Sequence, residues 1–329
     1  MLSCESDNHY LASPQFITLA LHVLSCLAVP IHLLGFYCIL YKTPKAMSSV
    51  KLLLLNLHVW SVILDIVLTF FAVPYAIFPA MAGYGLGLID SPGIFMYLIV
   101  TVINTVTISI IIIFENRFYI LFAQKTWWAR ARIPFIVINY ILNPLYFLPP
   151  QFMIPEQTMA RKVILESLPC LPELPANREL FVLSLDNFWP GLTVNICGDG
   201  AGIQLSIFVF LNFYNLLKMS NSTRLSERTV QMQKKLAIAV FVQSLSSLIW
   251  FSVPIAFVVY LSIFDYHNQF LNNLVFVFVS SHGMCSTIIM ICCHKPYREF
   301  VLSPVTRLCR KVPVIIVTSS NSSGNILPS

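Results

Sequence analysis

Apolar residues in this chain neither alternate nor recur every third or fourth position; they run in long blocks separated by short polar stretches. Seven blocks qualify as membrane crossings, at about 16–40, 51–79, 94–122, 133–153, 200–217, 236–263 and 271–293. A helix needs about 20 mostly apolar residues to cross roughly 30 Å of hydrocarbon, and its backbone polar groups must be paired within the segment. The pattern therefore predicts seven membrane-spanning helices. The fifth block is short and opens on the Gly-rich CGDGAG, so its start is open and could lie several residues earlier, near Leu192. Pro30, Pro74, Pro144 and Pro254 fall inside blocks, where proline kinks a membrane helix without ending it. The sequence has no internal repeat and no second domain. It reads as one seven-span domain over residues 1–300 and a polar tail over 301–329, largely disordered and ending in TSSNSSGNILPS.

Composition removes the soluble alternative. Of 329 residues, 57% are hydrophobic and 10% charged, with a mean hydropathy of +0.78. A soluble domain carries about a quarter charged residues, so this chain could not cover a water-facing surface. The fold class is an all-α membrane bundle. The net charge of +6 suits anionic cytoplasmic lipid and calls for no nucleic acid. The first fifteen residues hold no Lys or Arg, so a cleavable signal peptide is not expected.

Charge gives the seven spans a direction. Lys42, Lys45, Lys51, Arg117, Lys125, Arg130 and Arg132 fall on one side of the membrane, with Lys218, Arg224, Arg228, Lys234, Lys235, Lys295, Arg298, Arg307, Arg310 and Lys311. Only Arg161, Lys162 and Arg178 fall on the other. A bias of seventeen to three places the richer side in the cytosol, with the N-terminus outside and the C-terminus inside. Glu5, Asp7, Asp90, Glu156, Glu166, Glu173, Glu179, Asp186, Asp199 and Asp265 then all lie outside. The sequons at Asn221 and Asn321 would lie inside, unused.

Asp65 is the sharpest single residue. It sits in the middle of the second block, where a charge costs about 2.5–3.5 kcal/mol on insertion scales. His58 and Ser61 precede it by seven and four residues, so the three share one helical face. They read either as a network that rearranges during activity or as a static buried cluster. Among polar or aromatic residues in the spans, Thr101, Asn104, Thr105, Gln204, Trp250, Tyr260 and His282 are candidate lining for a ligand pocket between spans three, five, six and seven, with helix packing as the alternative. Such an uncharged lining favours a neutral or weakly polar small molecule. No His-Glu-x-x-His, Gly-rich phosphate loop or Gly-x-Ser-x-Gly occurs, so the sequence predicts no enzyme, no cofactor and no metal site.

The stretches PIHLLGFYCILYKTPKAMSSVK (30–51), LLNLHVWSVILDIVLTFFAVPYAIFPAMAGYGLG (54–87), FENRFYIL (114–121), RTVQMQKKLAIAVFVQ (228–243) and HKPYREF (294–300) resemble, in order and spacing, the nematode serpentine chemoreceptors of class H, in the Str-like superfamily. The resemblance runs from about Ser13 to Ser303. It implies a chemosensory G-protein-coupled receptor in the plasma membrane of sensory-neuron cilia, with a small-molecule ligand and a heterotrimeric G protein as partners. The alternatives are a seven-span ligand-gated channel or a transporter. An insect-type odorant channel would keep its N-terminus in the cytosol, and a transporter would often show paired half-repeats with broken helices, which the sequence does not display.

Seen as a receptor, the chain offers further candidates. Glu115 and Arg117 stand where rhodopsin-like receptors carry an adjacent acid–Arg–aromatic triplet, but here Asn116 separates the acid from the arginine. They read as a signalling pair or as an interfacial snorkelling pair. Pro296, Tyr297 and Arg298 close the seventh span, Pro296 stopping or bending the helix and Tyr297 and Arg298 facing the headgroups. The inner loop KMSNSTRLSERTVQMQKK (218–235) reads as an extension of span six that docks the G protein, or as a plain basic loop. Many receptors tie the top of span three to an outer loop by a disulfide. No Cys lies between Met81 and Val100, which leaves Cys170–Cys197, or Cys4 with either, as pairings. Cys292, Cys293 and Cys309 are juxtamembrane candidates for palmitoylation, or ordinary helix-end residues. The topology has a direct test: an N-terminal epitope tag should be stained on intact cells and a C-terminal tag only after permeabilisation. A cytosolic N-terminal tag would sink the receptor reading.

Overall fold

A computed structural model describes residues 3–4, 9–89, 91–168, 178–186, 188–220 and 227–311. Seven of its helical stretches are long and apolar enough to cross a membrane. They are α1 (Pro14–Tyr41), α2 (Ser48–Ile66, continued by a π-helical turn Val67–Ala72), α3 (Pro92–Phe118, continued by Tyr119–Ala123), α4 (Trp128–Tyr146) with the short α5 (Leu148–Phe152), α7 (Phe188–Ser220), α8 (Glu227–Ile263) and a seventh span in two halves, α9 (Gln269–Ser280) and α10 (His282–Cys293). Outside them lie α6 (Gln157–Ser167) and the terminal α11 (Lys295–Lys311).

α3 occupies the centre, packed against α2, α4, α7 and α8, while α10 wedges between α1, α2 and α8. Burial follows that order: from Ile108 to Arg117 every α3 side chain is buried, whereas α4 buries only Asn143. The lipid-facing side chains, such as Leu33, Ile133 and Ile203, are apolar and exposed, as a bilayer requires.

Several sequence boundaries are corrected. The second block, read as one span to residue 79, stops being helical at Ala72. Val73 takes a left-handed φ of 40°, and the chain turns into strand β2 (Pro74–Ile77), paired antiparallel with β3 (Ala82–Gly85), which pairs with β4 (Phe181–Val182). Two further strands, β1 (Ser3–Cys4) and β5 (Tyr266–His267), pair in parallel. The fifth helix starts at Phe188, close to the earlier of the two starts considered. Its 33 residues make about 50 Å at 1.5 Å each, longer than the hydrocarbon is thick. Hydropathy reports the stretch that lipid solvates; the helix itself runs on, carrying the exposed Asp199. α8 likewise begins at Glu227, ahead of its apolar block. The seventh span is broken at Ser281, although the sequence displays no broken helix there.

The hairpin β2–β3 lies over the end of the bundle where α1 begins, and polar side chains satisfy its carbonyls. Gln269 Nε2 donates to the Ala76 carbonyl at 3.1 Å and Asn272 Nδ2 to that of Phe78 at 3.2 Å. His267 Nδ1 lies 2.8 Å from the Phe78 oxygen. The Tyr75 hydroxyl donates to the Ala12 carbonyl at 2.8 Å, and Asn273 Nδ2 to that of Leu11 at 3.0 Å. Buried irregular backbone needs its polar groups paired in this way, and the result is a closed collar joining spans one, two and seven.

Candidate functional site: a clamped break in the seventh span

Where α9 ends and α10 begins, the helix ladder is interrupted and the first amides of α10 have no carbonyl from a preceding turn. Asp65 supplies the missing acceptors from α2. The Gly283 amide donates to Asp65 Oδ1 and the Met284 amide to Oδ2, each at 3.1 Å. A helix N-terminus carries partial positive charge, so this carboxylate lies where its charge is best opposed. His32 of α1 completes the pairing, its Nε2 3.0 Å from Asp65 Oδ2. All of this is buried: Asp65 is 3% exposed and His32 6%.

The neighbours are held by the same cluster. His58 Nε2 donates to the His32 carbonyl at 3.1 Å, which fixes the proton on that nitrogen and turns Nδ1 toward Thr287 Oγ1, 3.4 Å away. Thr287 Oγ1 also approaches His32 Nδ1 at 3.3 Å and donates to the Gly283 carbonyl at 2.7 Å. Two glycines make room. A Cβ on Gly283 would stand 2.5 Å from Asp65 Oδ2, and one on Gly35 2.7 Å from the His58 ring and from the Thr287 methyl. Ser61, placed by helical spacing on the same face, instead bonds its own helix through the Leu57 carbonyl at 2.9 Å.

Span six grips the break from the other side. Trp250 Nε1 donates to Ser281 Oγ at 2.8 Å, and the indole stacks on Phe278 with centroids 5.2 Å apart. His282 Nε2 lies 3.1 Å from Ser247 Oγ, and its ring packs on Phe251 at 4.5 Å. Trp250 and His282, candidates for ligand lining by residue type, thus hold α8 to the seventh span.

The other lining candidates do not converge with them. Thr101, Asn104 and Thr105 meet Asn143 of α4: Asn104 Nδ2 donates to Asn143 Oδ1 at 2.6 Å, and Asn143 Nδ2 donates to Thr105 Oγ1 at 2.6 Å and to the Thr101 carbonyl at 3.2 Å. A small cavity beside them is also lined by Cys197. Gln204 keeps a buried Oε1 with no hydrogen-bond partner. Tyr260 is half exposed near the end of α8 and packs on Phe264. Cys197 is a free thiol inside α7, so its assignment to an outer loop is corrected; Cys170 lies outside the described residues, as do the sequons and the last stretch of the tail.

At the opposite end of the bundle, Glu115 is fully buried and pairs with span four. Arg132 Nε lies 3.0 Å from Glu115 Oε2, Trp128 Nε1 donates to Oε1 at 2.9 Å, and Arg132 Nη2 donates to Asn116 Oδ1 at 2.7 Å. The acid's ion-pair partner is therefore Arg132, not Arg117. Arg117 is buried beside His294. Burial first, then the Arg117 charge, pushes the His294 imidazole down to about 4. Pro296 falls in the first turn of α11 and helps start that helix rather than bending α10, which ends at Cys293. Tyr297 does not face the headgroups; it is fully buried against α1, its hydroxyl 2.7 Å from Thr43 Oγ1. Arg298 does sit at the surface, donating to the Cys292 carbonyl at 2.9 Å. Cys292 is exposed and Cys293 half-buried, both as free thiols; the Cys309 side chain lies outside the described residues.

Sequence reasoning missed His32, Gly35, Thr287, Asn143 and Arg132. Only a polar or small residue in an apolar block marked the first four, and Arg132 was visible only as one more inner cation.

These seven helices form the seven-transmembrane bundle that squid rhodopsin also has. The fold matches that of squid rhodopsin with a TM-score of 0.52, over 91% of this chain and 87% of that one, at 14% identity. Residues 12–307 match the family described as serpentine type 7TM GPCR chemoreceptor Srh, and the chain belongs to that family. It is also 25% identical over 336 residues to serpentine receptor class H-72 of Caenorhabditis elegans, covering 96% of this chain and 93% of the relative.

The clamp and the inner end of the bundle each make one prediction. Gly283→Ala drives a methyl into the carboxylate and should lower the thermal stability of the purified protein by about 1–3 kcal/mol, the usual cost of overpacking; an unchanged melting temperature would refute the close approach. His294 stays neutral when folded but takes a proton near 6.5 when unfolded, so the unfolded state binds more protons between those values. Stability should therefore fall as pH drops from about 6.5 to about 4, by up to ~3 kcal/mol. His294→Gln should flatten that slope in a pH series of melting curves.

Proposed function

We propose that this chemosensory G-protein-coupled receptor binds an uncharged small-molecule cue presented outside the cell and transmits it to a heterotrimeric G protein at its cytosolic end. The N-terminus lies outside and the C-terminus inside, a reading supported by the seventeen-to-three distribution of Lys and Arg under the positive-inside rule. The plasma membrane of sensory cilia is the location that the family membership favours. No enzymatic step belongs to this reading.

The observation that carries the proposal is the break in span seven, held by Asp65 from span two and by Trp250 from span six. A signal crossing the membrane needs an element with two arrangements that both ends bias. Moving span six would part the Trp250–Ser281 and His282–Ser247 contacts while Asp65 still held α10, so the clamp is a hinge between an outer, sensing half and an inner, coupling half. At the inner end, Arg117 is the residue we assign to the G-protein contact, and the Glu115–Arg132 pair positions α3 against α4 beside it. The channel and transporter alternatives draw no support from the family or from the fold it shares with rhodopsin.

The test is calcium imaging in a sensory neuron expressing the chain, against a panel of neutral, acidic and basic volatiles. Neutral compounds should evoke the response, and Arg117→Gln should abolish it at unchanged surface level. A response confined to strongly charged compounds would overturn the ligand class, and full signalling by Arg117→Gln the coupling role.

A further inference from the structure

We infer a second route into this receptor: a groove between α1 and α2, open to the bilayer, that takes an uncharged amphiphile with a single hydroxyl head. The groove encloses about 200 Å³ and reaches from the lipid face to the clamp. An apolar cavity of about 150 Å³ already admits benzene, so there is room for a head and the first part of an alkyl chain. Its outer wall is Val29 and Leu33 of α1, 53% and 64% exposed. These face lipid, so a molecule dissolved in the bilayer meets no water barrier on entry.

The walls are apolar, and a few polar side chains at the inner end distinguish the groove from a seam that a lipid tail would fill. His32, Asp65, Thr69 and Ser280 all line it. Ser280 is 1% exposed and its hydroxyl has no hydrogen-bond partner, a condition that costs free energy unless something arrives to bond it. Thr69 has spent its proton on the Asp65 carbonyl, at 2.7 Å, and offers lone pairs. The ligand head must therefore donate to Thr69 and be able to accept from Ser280, and a hydroxyl is the smallest group that does both. An anion would meet the carboxylate. A cation would have to be desolvated beside a carboxylate that two amides and His32 already satisfy.

The opposite approach is obstructed. At the end of the bundle where α1 begins, the hairpin and its collar of Tyr75, Gln269, Asn272 and Asn273 cover spans one, two and seven. Entry sideways leads to the Asp65 clamp without opening that collar. As a means of altering signalling, the site rests on the receptor function proposed above; as a binding site it stands on the groove alone.

The test uses the full chain in lipid nanodiscs and a medium-chain primary alcohol bearing an alkyl diazirine. Photolabelling should saturate, map to α1 and α2 peptides, and be displaced by the parent alcohol but not by the alkane of equal length. Ser280→Ala should weaken the apparent affinity roughly threefold to tenfold, the worth of one neutral hydrogen bond, at an equal or higher melting temperature. Ala28→Phe, which fills the groove, should remove saturable labelling; if that variant misfolds, Ser280→Ala decides. Equal competition by the alkane, or unchanged affinity in Ser280→Ala, would make the groove an ordinary lipid seam and overturn the inference. Basal nucleotide exchange by an added G protein, read on the same discs, separates the two readings. Exchange without labelling removes the groove site, and labelling without exchange removes the receptor function and leaves the site.

Discussion

Hydrocarbon offers no hydrogen bonds, so any backbone amide released inside a membrane must find an acceptor in the protein. The seventh span releases amides at its midpoint, and a carboxylate from the second span receives them. Each party would be costly alone: a charge in the bilayer on one side, an open helix end on the other. Together they cancel most of that cost, and the arrangement of spans one, two and seven follows from the need to keep them together. His32 secures the carboxylate from α1, Gly283 allows the approach, and Gly35 lets His58 lie against Thr287.

The two ends of the bundle are finished by different means. Toward the start of α1, a β-hairpin is tied down by side-chain amides and a tyrosine hydroxyl, neutral groups that pair the backbone of an irregular segment. Toward the start of α11, the ties are ionic and aromatic: Glu115 with Arg132 and Trp128, and Lys42 over the Phe300 ring at 4.4 Å. Arg117 and His294 sit buried between α3 and the end of α10, where the proton that burial keeps off His294 would otherwise add a second positive charge beside the guanidinium.

Much of the architecture was legible from hydropathy because a lipid-solvated helix has only one way to be written. What failed were its ends. Residues 73–79 are as apolar as a helix, yet they form strand β2 and the turn that follows it, because a buried hairpin needs apolar side chains as much as a span does. The fifth helix extends past its apolar stretch because helical backbone continues wherever its own ladder is intact, whatever solvates it. At the site, Asp65 announced itself, since an acid at that depth requires a partner. The identity of the partner did not, because backbone amides leave no mark in a sequence, and Ser281–His282–Gly283 contains no proline to advertise a break. Trp250 and His282 stood out as polar or aromatic residues in apolar blocks: residue type showed that they had polar atoms to place, and only the fold showed that Trp250 donates to Ser281 and that His282 lies against Ser247.

The contact between Asp65 and Gly283 also bears on how members of this family diverge. Position 283 has no room for a side chain while a carboxylate stands against it, and the carboxylate has no reason to stand there unless span seven is broken. Neither position is free to drift by itself. A descendant that gains a methyl at 283 must withdraw the acid, and one that loses the acid gains an advantage from closing the ladder across the break, so the pair should be inherited together or lost together while the lipid-facing wall beside it varies freely.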